Sequence, residues 1–259
     1  MARVTLEMAG GIAEVRLDRP DKRNAIDPAM FAELGDAIAT LAESNARCVV
    51  LSGAGAMFCA GLDLSAMAAG ADAIDLARVV AGDANLVQQV AWGWRTLPMP
   101  VIAAVHGAAL GGGLQIMAGA DIRIAHGATR FAVAEAAWGL VADMGGFALW
   151  RGVRDDVLRE LAFTARTFDA AEALAAGFVT RLSDDPLGAA RDMARAIAAR
   201  SPAAVRAAKR LANLAADAPA SVILAAERAE QIALLQGPEH REAVRAGLEG
   251  RPARFGDGG

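Results

Sequence analysis

An uncharged segment constrains the fold of this 259-residue chain more than any other feature. Residues 96–120 contain no Asp, Glu, Lys or Arg, and an apolar helix of that length can cross a bilayer. Two prolines and the triplet Gly111-Gly112-Gly113 lie within the segment, however, and both residue types interrupt helices. The segment therefore predicts a buried strand, a turn and a buried helix, and it does not predict a membrane span.

The glycine triplet belongs to one of two glycine-containing turns that each follow an apolar run. The first turn is Met57–Leu64 (MFCAGLDL), and the second lies in Ala104–Ile116 (AVHGAALGGGLQI). A helix that begins at the triplet would present unpaired N–H groups and the positive end of its dipole to an anion. Close packing of backbone would equally explain these glycines. Together, the two turns favour an oxyanion hole made of two main-chain N–H groups.

Hydrophobic periodicity predicts an α/β fold, in which helices cover a sheet. Apolar and polar residues alternate on both sides of Gly10-Gly11, a pattern typical of a β-hairpin. Asp27 before Pro28 predicts the start of a helix, and apolar residues recur at helical spacing to about Leu41. The other expected elements are helices near Asp75–Trp94 and Gly113–Ala118, and strands at Cys48–Leu51, Val101–Val105, Ile122–Ala125 and Arg130–Val133.

The pattern changes near residue 200, after which no strand signal remains. Helical segments follow Ser201 and are interrupted at Pro219 and at Gly237-Pro238. We therefore expect an α/β core over residues 1–200 and a helical region over residues 201–259. The second region is rich in Ala and Leu on one face, so we expect it to act as a lid or as a contact with another subunit.

Composition excludes several classes of function. The formal net charge of −4 provides no basic field for a nucleic-acid backbone. The three histidines are far apart in sequence, which predicts no metal site. Cys48 and Cys59 lie in apolar runs and are expected to be buried thiols in a reducing compartment. No signal-peptide pattern opens the chain, so the expected location is the cytoplasm.

Two carboxylates follow the second glycine turn. Glu135 lies between the apolar run at residues 131–134 and Ala136-Ala137-Trp138, so we expect it to be poorly solvated. Poor solvation raises the pKa of a carboxyl group and suits it for proton transfer. Asp143 lies eight positions later in GLVADMGG, where an alternative interpretation is that it caps a following helix.

These motifs together resemble the crotonase superfamily, which contains the enoyl-CoA hydratases and isomerases. The resemblance covers essentially the whole chain and implies a crotonase-type ββα spiral core with a C-terminal all-helical segment. It also implies a homotrimer or hexamer that acts on an acyl-CoA thioester, with no cofactor because coenzyme A is part of the substrate. The segments that carry it are RPDKRNAI, MFCAGLDL, PVIAAVHGAALGGGLQI, ADIRIA, FAVAEAAWGL and AAEALAAGFVTRL.

The resemblance also implies roles for individual residues. Leu62 and Gly112 match the two residues whose N–H groups form the family's oxyanion hole. Glu135 matches an acid–base carboxylate. The residues assigned to substrate binding are Ala60, whose carbonyl would meet the adenine amino group, Arg23 and Ala25 on the coenzyme A path, Asp63 and Gln115.

Gln115 departs from the family pattern, because the hydratases carry their other acid–base carboxylate at that position and the dienoyl-CoA isomerases usually carry an Asp there. An amide can hold a water molecule but cannot accept its proton. The spacing from Glu135 to Asp143 is similar to that in the Δ3,5-Δ2,4-dienoyl-CoA isomerases, which makes double-bond isomerisation the expected reaction. Two alternatives remain: a 2-enoyl-CoA hydratase in which Gln115 holds the water, and an acyl-CoA-binding protein without catalysis.

Overall fold

The computed structural model describes residues 2–69 and 75–256. Its largest sheet has six strands in the order β1-β2-β3-β6-β8-β11. The first two strands are antiparallel, and every other neighbouring pair is parallel. The strands of this sheet are β1 (Val4–Ala9), β2 (Ile12–Leu17), β3 (Cys48–Gly53), β6 (Val101–Val105), β8 (Ile122–Ala125) and β11 (Arg181–Leu182).

A second, smaller sheet has three strands, and one of them, β7 (Ala108–Leu110), connects the main sheet to the glycine triplet. Its order is β10-β9-β7, with β7 parallel to β9 and β10 antiparallel to it. A separate hairpin is formed by β4 (Val79–Ala81) and β5 (Ala84–Asn85). The strands of the smaller sheet are β7 (Ala108–Leu110), β9 (Arg130–Ala132) and β10 (Thr167–Asp169).

The helices lie on both faces of the main sheet and around the smaller one. Their bounds are α1 (Pro28–Ala42), α2 (Leu64–Ala69), α3 (Leu86–Thr96), α4 (Gly112–Ala118), α5 (Gly146–Leu149), α6 (Asp155–Thr164), α7 (Ala170–Ala176), α8 (Pro186–Ala198), α9 (Pro202–Ala215), α10 (Ala220–Gln236) and α11 (Pro238–Glu249).

The two faces of the main sheet have separate apolar cores. Val49 and Leu51 of β3 point to the larger core, which also contains the buried faces of α1 and α3. Cys48 and Val50 point to the opposite face, where α8 covers them with Ala190 and other small residues. Because both faces of the sheet are covered, the sequences of the central parallel strands are continuous apolar runs.

The sequence predicted most of these elements, with one clear error. The Gly10-Gly11 hairpin is confirmed, and so is the α1 start, where the Asp27 carboxylate accepts the Met30 N–H at 2.9 Å. The prediction of a helix near Asp75–Trp94 is wrong for the residues before Leu86, because these residues include the β4–β5 hairpin. Asn85 and Gln88 form a reciprocal capping box that fixes the real start of α3.

The uncharged segment folds as expected into β6, β7 and α4, and no helix among the described residues is long and apolar enough to span a membrane. Cys48 and Cys59 are both free and buried, as predicted. After residue 200 the described chain consists of α9, α10 and α11. Helix α10 buries none of its residues within the chain, although it carries several apolar side chains.

Candidate active site

A small cleft of about 120 Å³ brings together the two glycine turns and one predicted carboxylate. It lies at the amino end of α4, between the loop that follows β3 and the 3₁₀ turn Glu135–Trp138. The lining residues are Ala60, Gly61, Leu62, Leu64, Gly111, Gly112, Ala134, Glu135, Trp138 and Leu140.

The first turn leaves the Leu62 N–H outside the main-chain hydrogen bonds that hold the loop. Ile26 N–H donates to the Gly61 carbonyl at 2.8 Å, and Asp63 N–H donates to the Ile26 carbonyl at 2.9 Å. Gly61 has φ +90°, a conformation that glycine adopts without strain. Ile26 therefore secures the backbone on both sides of Leu62, while the Leu62 N–H has no main-chain acceptor among the described residues.

The second donor lies at the first turn of α4, where helical N–H groups have no partner within the helix. Gly111 is the N-cap with φ +48°, and Gly112 is the first helical residue. A Cβ atom built on Gly61 would lie 3.7 Å from Gly112 N and only 2.7 Å from the Leu110 carbonyl oxygen. The two turns are therefore in direct backbone contact, and their donors line one cleft.

Glu135 supplies the carboxylate of this cleft, and its predicted burial is confirmed. The residue is 8% exposed, and a Cβ atom on Gly111 would lie 3.4 Å from its Oε1. Burial raises the pKa of Glu135, and the nearby charge of Asp143 raises it further, against the lowering effect of hydrogen bonds. Its Oε2 is buried and has no hydrogen-bond partner among the described residues.

Gln115 lies on α4, is 1% exposed and contacts Glu135 directly. Its Nε2 donates to Glu135 Oε1 at 2.6 Å. Its Oε1 accepts the N–H groups of Met144 at 2.9 Å and Gly146 at 3.1 Å. A carbonyl oxygen accepts about two hydrogen bonds, so no lone pair on the Gln115 oxygen remains for a bound water or substrate.

Asp143 lies on the segment that Gln115 holds, but it does not line the small cleft. Asp143 is not the N-cap of α5, because Gly145 occupies that position. The capping interpretation is therefore wrong. Asp143 is exposed, yet partial desolvation still raises the pKa of its carboxyl group.

The predicted substrate-binding residues form a second group beside the cleft. Arg23 is exposed, and its carbonyl accepts the Ala60 N–H at 3.0 Å. Asp63 accepts from Ser65 Oγ at 2.7 Å and Arg19 Nη1 at 2.7 Å, and these contacts hold the pKa of Asp63 well below its usual range. The Asp63 carboxylate is thus engaged within the protein.

The sequence analysis did not single out two residues, Arg19 and Asn24, that hold the loop containing Ala60 and Asp63 in place. Arg19 joins Asp63 to the Ala25 carbonyl, which accepts its Nη1 at 2.9 Å. Asn24 is fully buried with φ +55°, and its Nδ2 donates to the carbonyls of Ala54, Met57 and Phe58. Asparagine tolerates this left-handed backbone better than most residues, and that preference was the signal available in RPDKRNAI.

The described residues contain no group of three or more His, Cys, Asp or Glu side chains that could hold a metal ion. What the cleft does present is a pair of main-chain donors and one poorly solvated carboxylate. Donors of this kind stabilise a negative charge that develops on an oxygen. Such an arrangement defines a class of protein that acts on carbonyl compounds through an oxyanion.

Comparisons with known proteins identify the family within that class. The family model described as enoyl-CoA hydratase/isomerase matches residues 7–258, so the chain belongs to this family, the crotonase superfamily. The α/β crotonase fold with C-terminal helices, expected from the sequence, is confirmed by the solved structures. One of these, an enoyl-CoA hydratase of Mycobacterium tuberculosis, matches with a TM-score of 0.88 and 29% identity over 100% of both chains.

Named relatives include both isomerases and dehydratases. The mitochondrial Δ(3,5)-Δ(2,4)-dienoyl-CoA isomerase of Mus musculus is 33% identical over 255 residues, which cover 94% of this chain and 78% of that protein. The carnitinyl-CoA dehydratase of Proteus mirabilis is 36% identical over 211 residues, which cover 80% of this chain and 78% of that protein. The matches to the rat and human dienoyl-CoA isomerases span only 64% of those proteins.

Proposed function

We propose that this protein isomerises a 3,5-dienoyl-CoA to a 2,4-dienoyl-CoA. The observation that carries the proposal is the arrangement of Glu135, Gln115 and Asp143. Glu135 lines the cleft and has one oxygen, Oε2, without a hydrogen-bond partner among the described residues. Gln115 has no free lone pair on its oxygen for a water, and Asp143 is the nearby second carboxylate. Resemblance to the dienoyl-CoA isomerases supports the same reaction.

In this mechanism the thioester oxygen accepts hydrogen bonds from the N–H groups of Leu62 and Gly112. Each such donor contributes about 3 kcal/mol to transition-state stabilisation when it is well aligned. The acidity of the C2–H bond rises because the resulting negative charge is delocalised onto that oxygen. Glu135 lies beside Gly111, next to the same donors, so it is the base that we assign to C2.

Removal of the C2 proton leaves an extended enolate whose electrons are delocalised from the oxygen to C6. The electron pair of the broken C2–H bond forms C2=C3, the C3=C4 pair moves to C4=C5, and the former C5=C6 pair takes a proton at C6. Asp143 lies outside the cleft but close enough to Glu135 for its charge to act on that residue, and we assign it as the acid at C6. Proton exchange between the two carboxyl groups or with solvent then restores the starting state.

The binding roles follow the same proposal. The Ala60 carbonyl and the segment containing Arg23 and Ala25 would contact coenzyme A, while Asp63 would act by holding this loop in place through Arg19. We further propose a homotrimer or hexamer, because apolar residues of α10 such as Leu224, 57% exposed, have no cover within the chain. Molar mass by light scattering tests this assembly.

Turnover of two substrates tests the proposed reaction. A 3,5-dienoyl-CoA gains absorbance as its double bonds become conjugated with the thioester, whereas crotonyl-CoA loses absorbance on hydration. We expect the first substrate to react and Asp143→Asn to abolish this reaction. The control Asp36→Asn removes an exposed charge on α1 and should leave turnover unchanged. Reaction of crotonyl-CoA alone would refute the isomerase proposal and favour a hydratase.

A further inference from the structure

Gln115 joins two parts of the site that have no other side-chain link among the described hydrogen bonds. The nitrogen of its amide donates to Glu135, and the oxygen accepts from the N–H groups of Met144 and Gly146 in the segment that carries Asp143. The two main-chain N–H groups can bond only to an acceptor, which fixes the amide oxygen toward Met144 and Gly146. The amide nitrogen must then face Glu135.

This orientation makes the two oxygens of Glu135 inequivalent. Oε1 accepts a short hydrogen bond of 2.6 Å, whereas Oε2 is buried without a partner. A hydrogen bond to one oxygen stabilises the ionised form and restricts rotation of the carboxylate. The oxygen that is left without a donor is the one that can accept a proton from a ligand in the cleft.

We propose that Gln115 is a positioning residue that presents Glu135 Oε2 to the substrate and keeps Glu135 aligned with the segment bearing Asp143. This inference deepens the proposed function and rests on it for the identity of the reaction. It assigns no proton transfer to Gln115 itself. Gln115 acts through Glu135 on one side and through the main chain at Met144 and Gly146 on the other.

The groups that surround Glu135 make it a sensitive reporter of this role. Asp143 is the described charged residue whose field acts on Glu135. Helix α4 and the segment 60–62 contain no charged residues. Helix α6, which packs against the 3₁₀ turn, carries its charges in exposed pairs such as Arg159 with Asp155.

The first experiment measures the titration of Glu135 by carboxyl ¹³C NMR in the whole protein, with Glu135→Gln used to assign the signal. Gln115→Met removes the donor at nearly constant volume, and Gln115→Glu keeps an acceptor for Met144 and Gly146 but replaces the donor with a carboxylate. We expect the pKa of Glu135 to rise in Gln115→Met and to rise further in Gln115→Glu. An unchanged pKa in either folded variant would overturn the proposal. If Gln115→Met does not fold, Gln115→Glu alone decides the result.

The second experiment is a double-mutant cycle on the turnover of the substrate that the wild-type protein accepts. Gln115→Met should lower kcat about 10²-fold with little change in KM. The reason is that the variant misplaces the Glu135 base but does not weaken substrate binding. In the Glu135→Gln background the same change should have almost no further effect. Equal losses in both backgrounds would show a merely structural role and refute the proposal. The NMR titration needs no turnover, so failure of the isomerase reaction is distinguishable from failure of this inference.

Discussion

At the residue scale, Glu135 combines burial with an incomplete set of hydrogen bonds. Its Oε1 accepts from Gln115, but Oε2 is buried without a donor among the described residues. A buried charge with an unmet hydrogen bond lowers the stability of a folded protein. The same feature keeps one oxygen free for a proton, so the site is expected to trade stability for reactivity.

This trade can be measured with Glu135→Gln. We expect the variant to lose most, but not all, of its turnover and to gain about 1 kcal/mol in free energy of unfolding at neutral pH, because the amide is uncharged. The folded-state pKa of Glu135 is raised, so the gain is full above that pKa and disappears as the pH falls below the unfolded-state value. Urea denaturation at several pH values checks this. The exposed control Glu43→Gln should show no such gain, and a less stable Glu135→Gln would contradict the argument.

The charge of Asp143 should be visible in the titration of Glu135. Burial raises the pKa of Glu135, and the negative charge of Asp143 contributes to the rise. Asp143→Asn removes that charge, so we expect the Glu135 titration to move to lower pH in carboxyl ¹³C NMR. Asp36→Asn, remote on α1, should leave it in place. A Glu135 pKa that stays constant or rises in Asp143→Asn would show that the two carboxylates do not interact.

At the scale of elements, the backbone contact between the two glycine turns determines where the oxyanion donors lie. A side chain on Gly61 would meet the Leu110 carbonyl oxygen at 2.7 Å, and φ +90° is unfavourable for any L-residue with a Cβ. The contact therefore requires glycine at this position for both spatial and conformational reasons. A similar approach occurs at Gly113, where a Cβ would lie 2.7 Å from Cys59 Cβ.

Gly61→Ala should accordingly separate the two turns. We expect a loss of about 1–3 kcal/mol in stability from the strained backbone, together with a fall in kcat as the Leu62 N–H moves away from the Gly112 N–H. Thermal unfolding and turnover measure the two effects. Gly127→Ala is the matched control, because its Cβ would meet nothing within 4 Å and its φ is not in the left-handed region. If Gly61→Ala and Gly127→Ala had the same stability and the same kcat, the backbone contact between the two turns would not contribute to either.

The elements also show what could be predicted from the sequence. Local signals predicted the start of α1, which depends on Asp27 and Pro28, and the burial of Glu135 inside an apolar run. The start of α3 was missed because the capping box of Asn85 and Gln88 interrupts an otherwise helical pattern. The hydrogen bonds from Met144 and Gly146 to Gln115 were not predictable, because these residues lie 29 and 31 positions further along the chain and only the tertiary fold brings them close to α4.

At the scale of the whole molecule, a few polar contacts join α9 of the C-terminal helical region to the core. Lys209 of α9 is buried, and its Nζ donates to the carbonyls of Trp94 and Met99 and to Asp121 Oδ2 at 2.8 Å. Asn213, one turn further, donates to the Arg95 carbonyl at 3.0 Å. These contacts fasten α9 to the end of α3 and to the segment before β6, and β6 leads directly to the second glycine turn.

Lys209→Met tests how much this attachment contributes to the whole fold. The substitution keeps most of the apolar stem but leaves Asp121 and two carbonyl groups without their donor, and breaking a largely buried ion pair costs about 3 kcal/mol. We expect urea denaturation to show that loss, and hydrogen exchange to show faster exchange in α9 than in β3. Lys22→Met is the natural control, because Lys22 is the other lysine of the chain and is exposed. Equal stability of the two variants would show that apolar packing alone holds the helical region on the core.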